Sequence, residues 1–255
     1  MSLADKKPVT FDSYKDFRGY VINLDRERSR YDKTQQRLAQ LGFSNIQRWE
    51  ATDYKKADVV SEIRQLGVRH LERFCNDAEI AVLLSHMKAL THFITSKEDY
   101  CLIFEDDIIA HPEFNQLADF NDIYYEDFDL LSFGGIFVGY DKFTLQYKDL
   151  KDVKKIQKKE THVDDVVFWQ AHAYMASKEF ANITLAKYKE WTASNEHRFP
   201  QWDEYFSRAP WYRTKLIANQ TNLELSKYRL HTIHPTKICG ILFQDNDNTS
   251  TIQNY

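Results

Sequence analysis

Along the first half of the chain, short apolar runs alternate with stretches in which apolar residues recur every three or four positions. Gly19 to Leu24 (Gly-Tyr-Val-Ile-Asn-Leu) reads as a buried strand. Asp25 then opens a charged run to Leu41-Gly42, with Leu38 and Leu41 at helical spacing, so strand, helix and terminating glycine follow in order. Ile46 to Glu50 predicts a second strand ending at Ala51-Thr52-Asp53, with a polar helix around Ala57 to Leu66. Between Glu79 and Lys97, the residues Ile80, Leu83, Leu84, Met87, Leu90 and Ile94 share one face, the pattern of an amphipathic helix packed on a sheet. Tyr100 to Phe104 is the next strand, and Asp129 to Phe133 another, closing with Gly134-Gly135.

Strands alternating with helices predict an α/β fold with a mostly parallel, Rossmann-type sheet flanked by helices. In such sheets ligands collect at the carboxyl edge. Asn23-Leu24-Asp25, Asp53 and Glu105-Asp106-Asp107 all fall at predicted strand ends, so one cleft can gather them. Tyr140 to Glu160 is lysine-rich and poorly periodic, which suits an insertion, a hairpin or a mobile loop. Val163 to Met175 returns to β-like character, and Ser177 suits a helix N-cap before Phe180 to Tyr188. The tail after Phe243 reads as irregular.

Composition narrows the classes. With 255 residues, 43% hydrophobic and 15% aromatic, the chain can bury a full core, and a single domain with an elaborated C-terminal part is expected. Lys plus Arg total 34 against 38 Asp plus Glu, a net charge of -4 that gives no footprint for nucleic acid. Cys75, Cys101 and Cys239 are far apart and lack paired metal-ligand spacing, which predicts free thiols in a reduced, cytoplasmic protein. Met1 to Thr10 has no apolar signal region, and no stretch approaches the ~20 apolar residues of a membrane span.

The most informative segment is Tyr100-Cys-Leu-Ile-Phe-Glu-Asp-Asp107, an apolar run that ends in three consecutive carboxylates. Acids clustered at a sheet rim repel one another unless a cation relieves them. Hard divalent ions take carboxylate oxygens, and one held by only one or two protein acids keeps positions open for substrate phosphates. The alternative is a solvated acidic turn that binds nothing.

Several motifs occur in a telling order. Tyr20-Val-Ile-Asn-Leu-Asp-Arg26 with Arg30, Trp49-Glu-Ala-Thr-Asp53, Glu79-Ile-Ala-Val-Leu-Leu-Ser-His86 and Leu102-Ile-Phe-Glu-Asp-Asp-Ile108 resemble the ordered motif series of glycosyltransferase family 25, the lipooligosaccharide and collagen-type galactosyltransferases. The resemblance continues more weakly through Ala171-His-Ala-Tyr174, Asp203 and His234-Pro235. Two departures stand out: Tyr54 where the family usually has glycine, and Ala81-Val82 in place of a usual Gly-Cys pair. Both bear on the identity of the donor sugar.

The resemblance implies a GT-A-like domain over 1–255, with a nucleotide-sugar-binding half near 19–135 and an acceptor-binding half in 136–255. It implies a UDP-sugar donor, galactose first, a glycan or glycolipid acceptor, and Mn2+ or Mg2+. Asp107 and Glu105 match the outer acids of a DxD-like element and are assigned to the metal, with Asp106 and Glu105 also near the nucleotide. His234, in the His-Pro element, is preferred over His231 to complete the metal shell. Asn23, Arg26 and Arg30 follow the first strand, where arginine can pair bidentately with a diphosphate; an ordinary charged helix face is the competing account. Asp53 suits a ribose hydroxyl or the base, or else a turn. Ser85 and His86 point about 100° apart on a helix and are read as donor-site or packing hydrogen bonders, not as a nucleophilic dyad. Asp203, with Glu204 second, is the expected general base, set among the aromatic residues of Phe199 to Tyr205. The expected activity is metal-dependent inverting hexosyl transfer in lipooligosaccharide or other surface-glycan synthesis. A metal-dependent phosphohydrolase and a non-catalytic nucleotide-sugar-binding protein are the alternatives.

Overall fold

Parallel pairing brings the first three strands together at the centre of the molecule. The computed structural model describes residues 15–69, 71, 75–110, 130–138, 167–169, 171–193, 232–233, 236–240 and 242–244. In chain order the strands are β1 (Gly19–Asn23), β2 (Ile46–Glu50), β3 (Tyr100–Glu105), β4 (Ile108–Ala110), β5 (Leu130–Ser132), β6 (Gly134–Val138), β7 (Val167–Trp169), β8 (Ala173–Ser177), β9 (Thr232–Ile233), β10 (Thr236–Gly240) and β11 (Leu242–Gln244). The helices are α1 (Arg28–Gln40), preceded by a 3-10 turn over Asp25–Glu27, α2 (Val59–Gln65), α3 (Asp77–Thr95) and α4 (Lys178–Ala193).

The main sheet has the order β2-β1-β3-β8-β5. β1 is parallel to both β2 and β3, whereas β8 is antiparallel to β3 and to β5. Four of the five strands therefore run one way, and β8 alone opposes them. The fold is α/β, with a mostly parallel sheet flanked by helices. A second sheet, β7-β6-β10-β9, is antiparallel, and β11 pairs with β4 directly after the acidic segment.

Local chemistry explains the boundaries. β1 is buried throughout and β3 nearly so, as expected for central strands with both faces covered. α1 ends at Gly42, whose φ of 92° is the left-handed conformation that glycine adopts without a Cβ penalty. Gly67 (φ 86°) serves α2 in the same way. α3 begins two residues earlier than the apolar period indicates, because Asn76 and Glu79 form a reciprocal capping box. Ser177 caps α4, its hydroxyl accepting from the Phe180 amide at 3.0 Å. Gly134 and Gly135, expected to close a strand, instead open β6, where they pair with Gly240 and Cys239 of β10.

The core lies between the main sheet and α2, α3 and α4, and includes Tyr20, Leu84, Leu90, Phe93, Ile103 and Phe180. Each such fully buried side chain contributes about 1.5–3 kcal/mol. That burial anchors the strands whose carboxyl ends form the site.

Candidate active site

The register puts the ends of the three parallel strands level: Ile22 faces Glu105, and Asn23 faces Glu50. Asn23 is buried and ties these ends together. Its Nδ2 donates to Asp106 Oδ2 at 2.6 Å and to the Glu27 carbonyl at 2.9 Å, while its Oδ1 accepts from Arg48 Nε at 2.8 Å. The Asn23 carbonyl also accepts from the Ala51 amide at 3.0 Å, so the loops after β1 and β2 are fixed to each other.

The acids then diverge. Glu105 takes its backbone bond from β8's side, its amide donating to the His172 carbonyl at 2.7 Å, while its carboxylate lies 3.3 Å from His86 Nε2. Burial pushes the Glu105 carboxyl up, but the hydrogen bond from His86, with smaller help from His172 and Arg30, holds it below its ordinary value. Asp106 and Asp107 turn toward α1. Arg30 lies 2.7 Å from Asp106 Oδ1 and 3.2 Å from Asp107 Oδ2, and Thr34 donates to the Asp106 carbonyl at 2.7 Å. Burial raises the Asp106 carboxyl above its ordinary value despite Arg30 and Asn23, which pull it down.

Arg26 and Asp53 form an ion pair across the ends of β1 and β2. Burial raises Asp53, yet the bonds from Arg26 and the Lys55 amide carry it below its ordinary value. Ser85 joins α3 to the loop after β2: its hydroxyl donates to the Ala81 carbonyl at 2.6 Å and accepts from the Thr52 amide at 2.9 Å. Between these elements lies an open cleft. One wall is apolar, from Leu24, Tyr54, Ala78, Ala81 and Val82; the floor carries Arg30, Ser85, His86, Glu105, Asp106 and Asp107. A concave site with an apolar wall and a few convergent charged groups is the usual form of a small-molecule pocket.

The model of glycosyltransferase family 25 (LPS biosynthesis protein) matches residues 17–200, a span that contains every element of this cleft. The chain belongs to glycosyltransferase family 25. Its activity class is therefore sugar transfer from a nucleotide-sugar donor to a glycan acceptor. Among solved structures, a glycosyltransferase involved in the glycosylation of the major capsid of PBCV-1 matches 75% of this chain and 73% of that chain at 8% identity, with a TM-score of 0.35. That likeness is too distant to carry an inference. No curated protein matches at a significant level. Among the described residues no helix is long and apolar enough to cross a membrane.

In this family 25 enzyme, Arg30, Ser85, Glu105, Asp106 and Asp107 line one cleft, and Asn23 braces it through Asp106. Asp53 belongs to an adjoining polar depression with Asp25, Glu50, Lys56, Glu62 and Lys88, and Arg26 reaches it through the ion pair. Asp203, Glu204 and His234 lie outside the described residues, as does the lysine-rich segment 140–160. His86 is one of the two residues read from sequence as donor-site or packing hydrogen bonders, whereas Arg48 and Thr34 were not singled out. For His86 the signal existed, a polar ring interrupting an apolar helix face; Arg48 and Thr34 gave none, because a charged strand residue and a helix threonine are ordinary.

The donor set fits a hard cation in chemistry, since three carboxylate residues follow one another at one strand end. Among the described residues, however, no three His, Cys, Asp or Glu side chains are grouped so as to hold an ion alone. A divalent ion that shares its shell with a diphosphate needs only one or two protein acids. The acids are suited to that shared role.

Proposed function

We propose that this protein is a metal-dependent, inverting glycosyltransferase of GT-A type that transfers a hexose, galactose first, from a UDP-sugar to a glycan hydroxyl, in the synthesis of lipooligosaccharide or another surface glycan. One observation carries the reading: the acids that end β3 share a cleft with Arg30 and with the apolar side chains Leu24, Tyr54 and Val82. Asp107 and Glu105 are the residues that would hold Mn2+ or Mg2+. When bound, such an ion stabilises the charge that develops on the departing nucleoside diphosphate.

The protein's own groups divide the remaining work. Arg30 is placed to give the diphosphate a bidentate donor once it leaves the carboxylates. Asn23 holds Asp106 in place at the cleft through its 2.6 Å hydrogen bond, and Asp53, oriented by Arg26, offers an acceptor for a ribose hydroxyl or the base. Tyr54, with the small side chains Ala78 and Ala81 on the same apolar wall, offers a surface for a planar ring. Asp203, with Glu204 second, remains the proposed general base that takes the proton from the acceptor hydroxyl as it attacks.

Incubation with a panel of UDP-sugars and Mn2+ tests the reading. Transfer or slow donor hydrolysis that is abolished in Asp107→Ala is the expected result. Phosphate release from simple esters, or tight UDP binding with no turnover on any donor, would overturn it.

A further inference from the structure

A polar chain runs from the cleft into the core. Glu105 Oε1 lies 3.3 Å from His86 Nε2, and His86 Nδ1 lies 3.0 Å from the Tyr174 hydroxyl. His86 is 0% exposed and Tyr174 1%, whereas Glu105 opens on the cleft. The imidazole and phenol rings stack at 5.8 Å with an interplanar angle of 19°. Three elements build this chain: α3 carries His86, β3 carries Glu105, and β8 carries Tyr174 opposite Ile103. The helix turn that carries His86 is also pinned, because the adjacent Ser85 binds the Thr52 amide.

A fully buried imidazole is costly unless both nitrogens are satisfied, and an apolar ring would pack there at no such cost. A carboxylate only accepts, so the contact with Glu105 requires a proton on Nε2, and the Tyr174 hydroxyl satisfies Nδ1. The tautomer and the ring plane are thereby fixed from behind. Partners of this kind set the direction in which a carboxylate presents its remaining lone pairs.

We infer that His86 is a positioning residue that aims the Glu105 carboxylate at the cation and diphosphate, with Tyr174 locking the imidazole. This deepens the donor reading proposed above and rests on it. His86 does not touch the reacting atoms; it acts through Glu105.

The test is UDP binding by calorimetry, in Mn2+ and in EDTA, for wild type, His86→Phe, His86→Gln and Tyr174→Phe. In wild type, Mn2+ strengthens UDP binding. In His86→Phe the Mn2+-dependent gain falls by about 10- to 100-fold, the usual effect of losing such a partner, while UDP affinity in EDTA stays at the wild-type value. His86→Gln, which restores a donor toward Glu105, recovers part of the gain. Tyr174→Phe removes one buried oxygen from an otherwise similar ring, so it reports even if His86→Phe fails to fold; it gives a smaller loss together with a changed His86 tautomer signature in 15N NMR. In a Glu105→Gln background the His86 and Tyr174 changes have no further effect on the Mn2+-dependent gain. An undiminished gain in Tyr174→Phe and His86→Gln, or losses equal with and without Mn2+, would overturn the positioning role while leaving the donor reading intact. Absence of any Mn2+ effect in wild type would overturn both.

Discussion

Arg30 holds two carboxylates of the acidic strand end at once, at 2.7 and 3.2 Å. A guanidinium so placed relieves the repulsion between Asp106 and Asp107 in the free protein and opposes a second cation at the same oxygens. Arg30→Gln is therefore expected to raise Mn2+ affinity in the nucleotide-free protein by about tenfold, which is roughly 1.4 kcal/mol, and to weaken UDP binding by a similar factor. Calorimetry with each ligand checks both signs; equal Mn2+ affinities for variant and wild type would contradict the exchange. Arg26 and Asp53 make a separate, acid-sensitive contribution. Asp53's folded-state pKa is lowered from 3.8, so its stabilisation is present above that value and is lost as the pH falls through the lowered one. Arg26→Gln should flatten the loss of stability below about pH 4, read from urea midpoints across the acid range. Asp106 has the opposite sign: its raised carboxyl favours the fold at low pH, and that contribution is lost as the pH rises through the raised value. Asp106→Asn should thus stabilise the nucleotide-free protein at neutral pH, with the difference vanishing in acid, as a thermal melt would show.

Among the elements, α3 carries the heaviest structural load, because it supplies core residues, Ser85 and His86 together. Its capping box predicts that Asn76→Ala costs about 1 kcal/mol of stability, with UDP affinity unchanged. Phe93→Ala, deeper on the same helix, should cost about 3–5 kcal/mol; denaturant unfolding separates the two. The elements were legible where periodicity was strong. The apolar period of α3, the buried runs of β1 and β3 and the stop at Gly42 all follow from local chemistry that tertiary packing does not reverse. β6 was not legible, because Gly134-Gly135 has the composition of a stop signal and is drawn into a strand only by pairing with β10. The true start of α3 also eluded the apolar period, since a capping box is polar.

At the scale of the molecule, the order β2-β1-β3 sets three carboxyl ends side by side, and the opposed β8 flanks β3, with Tyr174 on that strand and His172 just before it. The acidic half of the site could be read from sequence because charge directly after a buried run has few structural explanations. The bracing of that site by Asn23, Arg48 and His86 depends on which strands become neighbours, which no local pattern specifies. Family 25 membership accounts for sugar transfer; the cleft accounts for where the donor would sit. The most direct measurement is anomalous diffraction from a crystal soaked with UDP and Mn2+. The account predicts a manganese peak bridging Asp107 and the diphosphate, with Glu105 facing it and Arg30 moved from the carboxylates to the phosphates. A nucleotide bound away from the end of β3, or bound there with no metal peak, would contradict it.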